Sequence, residues 1–282
     1  MKRLFCTDYD NTLAIKGKMR PENIQAIRRL QDAGFEFAIA SGRPSANIMR
    51  IFSKYGVKGH LISNNGALTI DQKGQIVQEI PMPVAETRAW IERCEREDWR
   101  YLFYSKEICY LPRSWTRLPG SGIISSIVRF YFGMGVKSFD GKSPSFLEAG
   151  VYKMNIKEEK LVQSLYKEIL EEGKLSATVS GNGQVELMAP GVSKIMGVRA
   201  LADHLKIPMD RVVSIGDYDN DSEMLAESGW SFAMGNGSEL AKQAARMETA
   251  KVDEGGFVQA VDWILAHPEA GLLLAEGQAC HG

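Results

Sequence analysis

Short apolar runs alternate with amphipathic stretches of helical period, and this alternation constrains the fold more than any other feature of the sequence. Residues 2–7 read as a short buried strand around the apolar run Leu4-Phe5-Cys6, closed by the acidic turn Asp8-Tyr9-Asp10-Asn11-Thr12. After a polar loop at 13–20, Pro21-Glu22 opens a helix. Its apolar positions Ile24, Ile27 and Leu30 recur at threes until Gly34 ends it. A second strand at 35–40, a helix from Pro44 to about Tyr55 and a third strand at 60–63 follow. The third strand ends in Asn64-Asn65-Gly66, and a hairpin turning at 71–74 joins 67–70 to 75–80. Repeated strand–helix units are joined by parallel crossovers, so the pattern predicts an α/β fold with a doubly wound parallel sheet. Sheets of this kind take ligands beyond the carboxyl ends of their strands.

The pattern breaks at Pro81-Met82-Pro83 and returns at Ala189-Pro190-Gly191. We therefore divide the chain into a core, 1–81 with 189–282, and an inserted α+β domain, 82–188. Within the insert we expect helices at 84–97 and 158–172 and strands at 100–104, 108–111 and 151–156. A hairpin, 175–180 with 184–187, turns at Gly181-Asn182-Gly183. Residues 112–150, rich in Gly, Ser and Pro, carry no assignable pattern. In the returning core, Ser193 is placed to cap a helix at 194–205, and a strand at 212–215 opens onto Gly216-Asp217. A helix at 222–228, a last core strand at 230–234 and helices near 238–246 and 256–266 complete it. The Gly/Ala-rich tail, 267–282, is expected to dock loosely.

The polar clusters fall at the strand ends: Asp8 and Asp10 after the first, Ser41-Gly42-Arg43 after the second, and Gly216 through Asp221 after a later one. Two carboxylates spaced i, i+2 where a strand stops can serve one site, although ordinary turns collect Asp, Asn and Thr as well. Asp217, Asp219 and Asp221 also imitate the start of a calcium loop. That loop needs Gly at its sixth position and Glu at its twelfth, where this chain has Ser222 and Ser228.

Taken together, Asp8-x-Asp10-x-Thr12, Ser41-Gly42-Arg43, Lys194 and Gly216-Asp217-x-x-Asn220-Asp221 resemble, in order, the four motifs of the haloacid dehalogenase-like phosphohydrolases. The insert between the second and third motifs resembles the large cap of the Cof-type branch. The resemblance implies a phosphatase for a small phosphorylated metabolite. Asp8 would be the nucleophile that forms an aspartyl-phosphate, and Asp10 the general acid and then base. Lys194 would partner Asp8 and contact phosphate, with Tyr9, Ser41, Gly42 and Asn220 as further phosphate or substrate contacts. Mg2+ would be held by Asp8, the Asp10 carbonyl and Asp217, with Asp221 and Thr12 orienting the site from behind. Arg43 faces phosphate or is structural. Asn11 stands where the family commonly has glycine, and Asn tolerates left-handed backbone.

The chemistry is coherent: an anionic ester repels an anionic nucleophile unless a divalent cation and an ammonium neutralise the charge. Two other readings stay open, a non-catalytic phosphosugar-binding protein and a phosphomutase. The mutases of this family carry a small cap after the first motif, whereas here the long insert follows the second. The insert has no motif of its own, so its expected work is selection and shielding. A formal net charge of −1 argues against a broad nucleic-acid surface. No apolar stretch approaches a membrane span or a secretion signal. The four cysteines lack metal-ligand spacing. We expect a cytoplasmic protein, a monomer or weak homodimer.

Overall fold

The computed structural model describes residues 2–112, 134–139, 147, 150–180 and 183–270. The turn at Gly181-Asn182, most of 112–150 and the tail beyond 270 lie outside the described residues. The chain opens with β1 (Arg3–Thr7) and a small hairpin, β2 (Ala14–Ile15) and β3 (Lys18–Met19). The sequence reading has only a loop there. Lys16 and Gly17 take φ of 49° and 73°, the left-handed pair that closes a tight hairpin. Then come α1 (Pro21–Asp32), β4 (Phe35–Ala40), α2 (Ser45–Tyr55), β5 (His60–Ser63), β6 (Leu68–Ile70) and β7 (Ile76–Glu79). The insert supplies α3 (Val84–Arg96), β8 (Tyr101–Tyr104), β9 (Ile108–Pro112), β10 (Gly135–Phe139) and β11 (Lys153–Ile156). It continues with α4 (Val162–Glu172), β12 (Ser176–Ser180) and β13 (Gln184–Met188). The core resumes with α5 (Lys194–Leu205), β14 (Val212–Gly216), α6 (Ser222–Glu227), β15 (Trp230–Ala233), α7 (Glu239–Ala244), β16 (Met247–Glu248) and α8 (Gly256–Ala266).

Three expectations are adjusted. The second insert helix starts at Val162 rather than 158, the preceding residues being a turn. The strand at 230 is followed by one more, β16, two residues long and too short for its period to show. Ser193 does occupy the N-cap position of α5, but its side chain makes no capping hydrogen bond.

The first sheet runs β16-β15-β14-β1-β4-β5-β6-β7, parallel through β5 and antiparallel at the β6–β7 edge. The fold is α/β with a doubly wound, largely parallel sheet. Strand order reverses around β1, with β14 on one side and β4 on the other, which opens a crevice at their carboxyl ends. Alternation along the strands sorts side chains between two layers. Phe5, Phe37, Val213 and Ile215 pack with Phe257 and Ile264 of α8; Leu4, Cys6, Ala38 and Val212 pack with Val198 and Leu201 of α5.

The second sheet runs β10-β9-β8-β11-β13-β12, antiparallel except between β9 and β10. Apolar residues such as Phe103, Met154, Val185 and Leu187 pack with Trp90 of α3 and Leu165 and Ile169 of α4. The alternate residues Lys153, Asn155, Gln184 and Glu186 line a cavity shared with the core strand ends.

One backbone contact positions the third motif. Gly66 has φ of +100°, and a Cβ there would lie 2.1 Å from the Ser193 carbonyl oxygen. The turn at 64–66 thus sits directly on the start of α5, one residue before Lys194. Gly66→Ala is expected to cost at least about 3 kcal/mol, combining backbone strain with a clash against main chain. Thermal unfolding of the variant checks this.

Candidate active site

β1 ends with its main chain tied to β14, the Asp8 amide donating to the Ile215 carbonyl at 2.9 Å. This puts the Asp8 carboxyl between the ends of both strands, where it is buried. Lys194, at the first position of α5, donates from Nζ to Asp8 Oδ1 and to Asp221 Oδ1, each at 2.7 Å. Asp221 is fully enclosed, and its Oδ2 accepts from the main-chain amides of Asp217 at 3.0 Å and Tyr218 at 3.1 Å. Its two oxygens are therefore engaged, one by Lys194 and the other by the loop's own amides. Asp217 accepts at Oδ1 from the Thr12 hydroxyl at 2.7 Å, a bond joining the first and fourth motifs. The turn after β1 uses the Tyr9 and Ala14 carbonyls for its hydrogen bonds and leaves that of Asp10 outside them. Asn11 takes φ of 60°, which this turn requires.

Asp8, Asp217 and Asp221 can bring one carboxylate oxygen each within 4.8 Å of one another. Their environment shows how poorly the charge is balanced. Burial pushes Asp8 well above the ordinary carboxyl range; Lys194 opposes this, while Asp221, Asp217 and Asp10 add to it. Asp217 is pushed up to about 7 by burial and Asp221, against the Thr12 hydrogen bond and Lys194. Burial pulls the Lys194 ammonium down, but Asp221 and Asp8 outweigh it and hold it above the usual lysine range. Three buried carboxylates thus cluster about one ammonium, which pairs with Asp8 and Asp221. With all three ionised the deficit is two positive charges, and the hard oxygens of Asp8 and Asp217 suit a divalent cation. The residues present fit the group that the resemblance implies.

A pH prediction follows. A carboxyl that keeps its proton more tightly in the fold than in the unfolded chain makes the native state bind more protons, so stability falls as pH rises. For Asp217 the window runs from its ordinary 3.8 to about 7. Without divalent metal, stability should fall there by up to about 1.4 kcal/mol per pH unit. Melting temperatures at pH 5, 6 and 7, with EDTA and with Mg2+, check this: the metal should flatten the slope.

The remaining groups line one cavity of about 480 Å³, bounded by Asp8, Asp10, Ser41, Gly42, Arg43, Lys194, Asp217 and Asn220 from the core. Arg43 does not reach freely into it. Its Nε and one terminal nitrogen donate to the two Asp10 oxygens at 2.6 and 2.7 Å, and the other donates to Asn47 Oδ1 at 2.7 Å. Ser41 Oγ accepts from the Arg43 amide at 3.2 Å. Tyr9, expected as a phosphate or substrate contact, does not put its side chain into the lining of this cavity. Its ring is buried beneath the Arg43 guanidinium and its hydroxyl donates to the Gly17 carbonyl at 3.0 Å. The β2–β3 hairpin, unseen in the sequence, supplies that acceptor.

Sequence reasoning also missed Tyr104, Lys153, Asn155, Ser180, Gln184 and Glu186, all lining the cavity from the insert. A signal existed: Lys-Met-Asn-Ile at 153–156 and Gln-Val-Glu-Leu-Met at 184–188 alternate polar with apolar, marking one polar face.

A crossover sheet, an aspartate at the end of its central strand and a lysine–aspartate pair facing it define a hydrolase class, and the family model agrees. The model of the haloacid dehalogenase-like hydrolases matches residues 5–261, and the chain belongs to that family. Among individual proteins it is similar to the phosphatase YwpJ of Bacillus subtilis (strain 168), 26% identical over 93% of this chain and 100% of that one. It is similar also to 5-amino-6-(5-phospho-D-ribitylamino)uracil phosphatase YbjI of Escherichia coli (strain K12), 24% identical over 94% of this chain and 97% of YbjI. A solved haloacid dehalogenase-like hydrolase from B. subtilis shares the fold with a TM-score of 0.80 and 24% identity, over 92% of this chain and 99% of that one. Among the described residues no helix is long and apolar enough to cross a membrane.

Proposed function

We propose that this hydrolase is a Mg2+-dependent phosphatase of a small phosphorylated metabolite, a sugar phosphate or similar monoester, acting through an aspartyl-phosphate on Asp8. The observation that carries this reading is the buried Asp8–Lys194–Asp221 arrangement beside Asp217, short of two positive charges. The phosphatase names of relatives aligned over nearly the whole chain support it.

In the first step an Asp8 carboxylate oxygen attacks phosphorus, and the bond from phosphorus to the ester oxygen breaks. Asp10 protonates that departing oxygen. In the second step Asp10, now the carboxylate, takes a proton from water, whose oxygen attacks phosphorus and releases Asp8. Mg2+, held by Asp8, Asp217 and the Asp10 carbonyl, would offset the negative charge gathered there. Lys194 favours the ionised form of Asp8 against its burial and aligns the carboxyl group. Ser41 Oγ, the Gly42 amide and the Asn220 amide hold phosphate, with Asp221 fixing Lys194 and Thr12 fixing Asp217. The Arg43 clamp engages both Asp10 oxygens and so fixes the orientation of that carboxyl group.

Release of inorganic phosphate from p-nitrophenyl phosphate, with and without Mg2+, tests the reading. A mutase would instead pass the phosphoryl group to an added sugar phosphate, and a binding protein would release none.

A further inference from the structure

The insert carries no motif, yet two of its charged side chains reach a core loop that bears one. Lys153 on β11, its side chain 4% exposed, donates from Nζ to the Gly42 carbonyl at 2.6 Å. The same ammonium pairs with Glu186 Oε1 on β13 at 2.9 Å. Glu186 Oε2 accepts from Asn65 Nδ2 at 2.8 Å, and Asn65 Oδ1 accepts from Asn220 Nδ2 at 3.2 Å. A carboxylate only accepts, so the Asn65 nitrogen must face Glu186 and its oxygen must face Asn220. Asn65 is itself held in left-handed backbone, φ 56°, with its amide donating to the Ser41 carbonyl at 3.1 Å. A Cβ on Gly42 would lie 3.0 Å from Asn65 Oδ1 and 3.2 Å from Glu186 Oε2. An unbroken chain of polar contacts therefore runs Gly42–Lys153–Glu186–Asn65–Asn220, from the second motif through the insert to the fourth.

Stability does not explain the charges in this chain. A buried ion pair spends much of its attraction on desolvation, and an apolar pair of similar volume commonly serves a fold as well. What an apolar pair cannot do is grip a main-chain carbonyl on one core loop and orient an amide on another.

We propose that Lys153 and Glu186 are positioning residues: the pair fixes the Gly42 peptide and, through Asn65, the Asn220 amide. The phosphate-binding groups of two core loops are then in register only while the insert rests on them. This rests on the proposed assignment of those loops to phosphate. It differs from a role in selecting the leaving group, because it makes even the bare anion sensitive to insert residues.

Calorimetric titration with inorganic phosphate, in the presence of Mg2+, reads the effect without requiring turnover. The variants are the neutral pair Lys153→Met with Glu186→Gln, Asn65→Ala, and all three substitutions together. The neutral pair and Asn65→Ala should each weaken phosphate binding about tenfold, and the triple variant should lose little more, since both changes break one chain. Should the neutral pair fail to fold by circular dichroism, Glu186→Gln and Asn65→Ala form the same cycle. Phosphate affinity within about twofold of wild type, or losses that multiply independently, would overturn the proposal. So would wild-type protein that binds no phosphate. Absent wild-type turnover of p-nitrophenyl phosphate with phosphate binding intact would instead overturn the phosphatase reading, leaving the affinity comparison to decide the linkage.

Discussion

Asp8→Asn is expected to lower kcat on p-nitrophenyl phosphate by at least about a thousandfold while leaving the fold in place. The amide has the size of the carboxylate but cannot attack phosphorus. The structural expectation is equally specific. Asp8 is one of three clustered buried carboxylates beside the single Lys194 ammonium, which pairs with Asp8 and Asp221, and removing its charge relieves crowding rather than creating it. Metal-free Asp8→Asn should therefore melt no lower than wild type at pH 7. Near-normal kcat would refute the nucleophile assignment. A collapsed melting temperature with lost activity would show instead that Lys194 needs both carboxylates to stay buried.

Removal of metal should be the second large effect. EDTA-treated protein should show no measurable turnover until Mg2+ is restored, and Asp217→Ala should raise the Mg2+ requirement at least about tenfold. The reason lies in the ligand set. Asp221 is committed to Lys194 and two main-chain amides, so Asp8 and Asp217 are the carboxylates of the cluster left to face a cation. Ca2+ should inhibit, because its longer bonds and looser geometry misplace phosphate relative to Asp8. Full activity after chelation would refute metal dependence. Thr12→Val offers a milder companion, since it removes the hydroxyl bonded to Asp217 without touching a ligand.

These expectations bear on how the insert is understood. Its sequence suggests selection and shielding alone, and the lining contributed by Tyr104, Asn155 and Gln184 suits such a task. Lys153 adds a direct contact to the second-motif loop, so insert residues also bear on the core's own geometry.

Much of the molecule was legible before any coordinates. Alternating apolar runs of strand length and amphipathic helical stretches dictate parallel crossovers, because each element has only one way to bury its apolar face. Such a sheet delivers its strand-end residues to one crevice, so Asp8, Ser41 and Asp217 could be grouped although they lie far apart in sequence. Local rules also suffice where one residue decides the backbone, as with Gly56 ending α2 at φ 60°. Contacts between distant side chains were not legible, since they depend on loop paths and on how two sheets meet. Nothing near Arg43 announces that it clamps Asp10, nor anything near Thr12 that it bonds Asp217, 205 residues away. The resemblance implies a substrate contact for Tyr9 but says nothing of its ring, which lies under Arg43, with a hairpin too short to show a period accepting its hydroxyl. The polar faces of β11 and β13 were written in their alternation, but alternation says only that a face is polar. That this face meets Gly42 and Asn65 was decided by the packing of one sheet against the ends of the other.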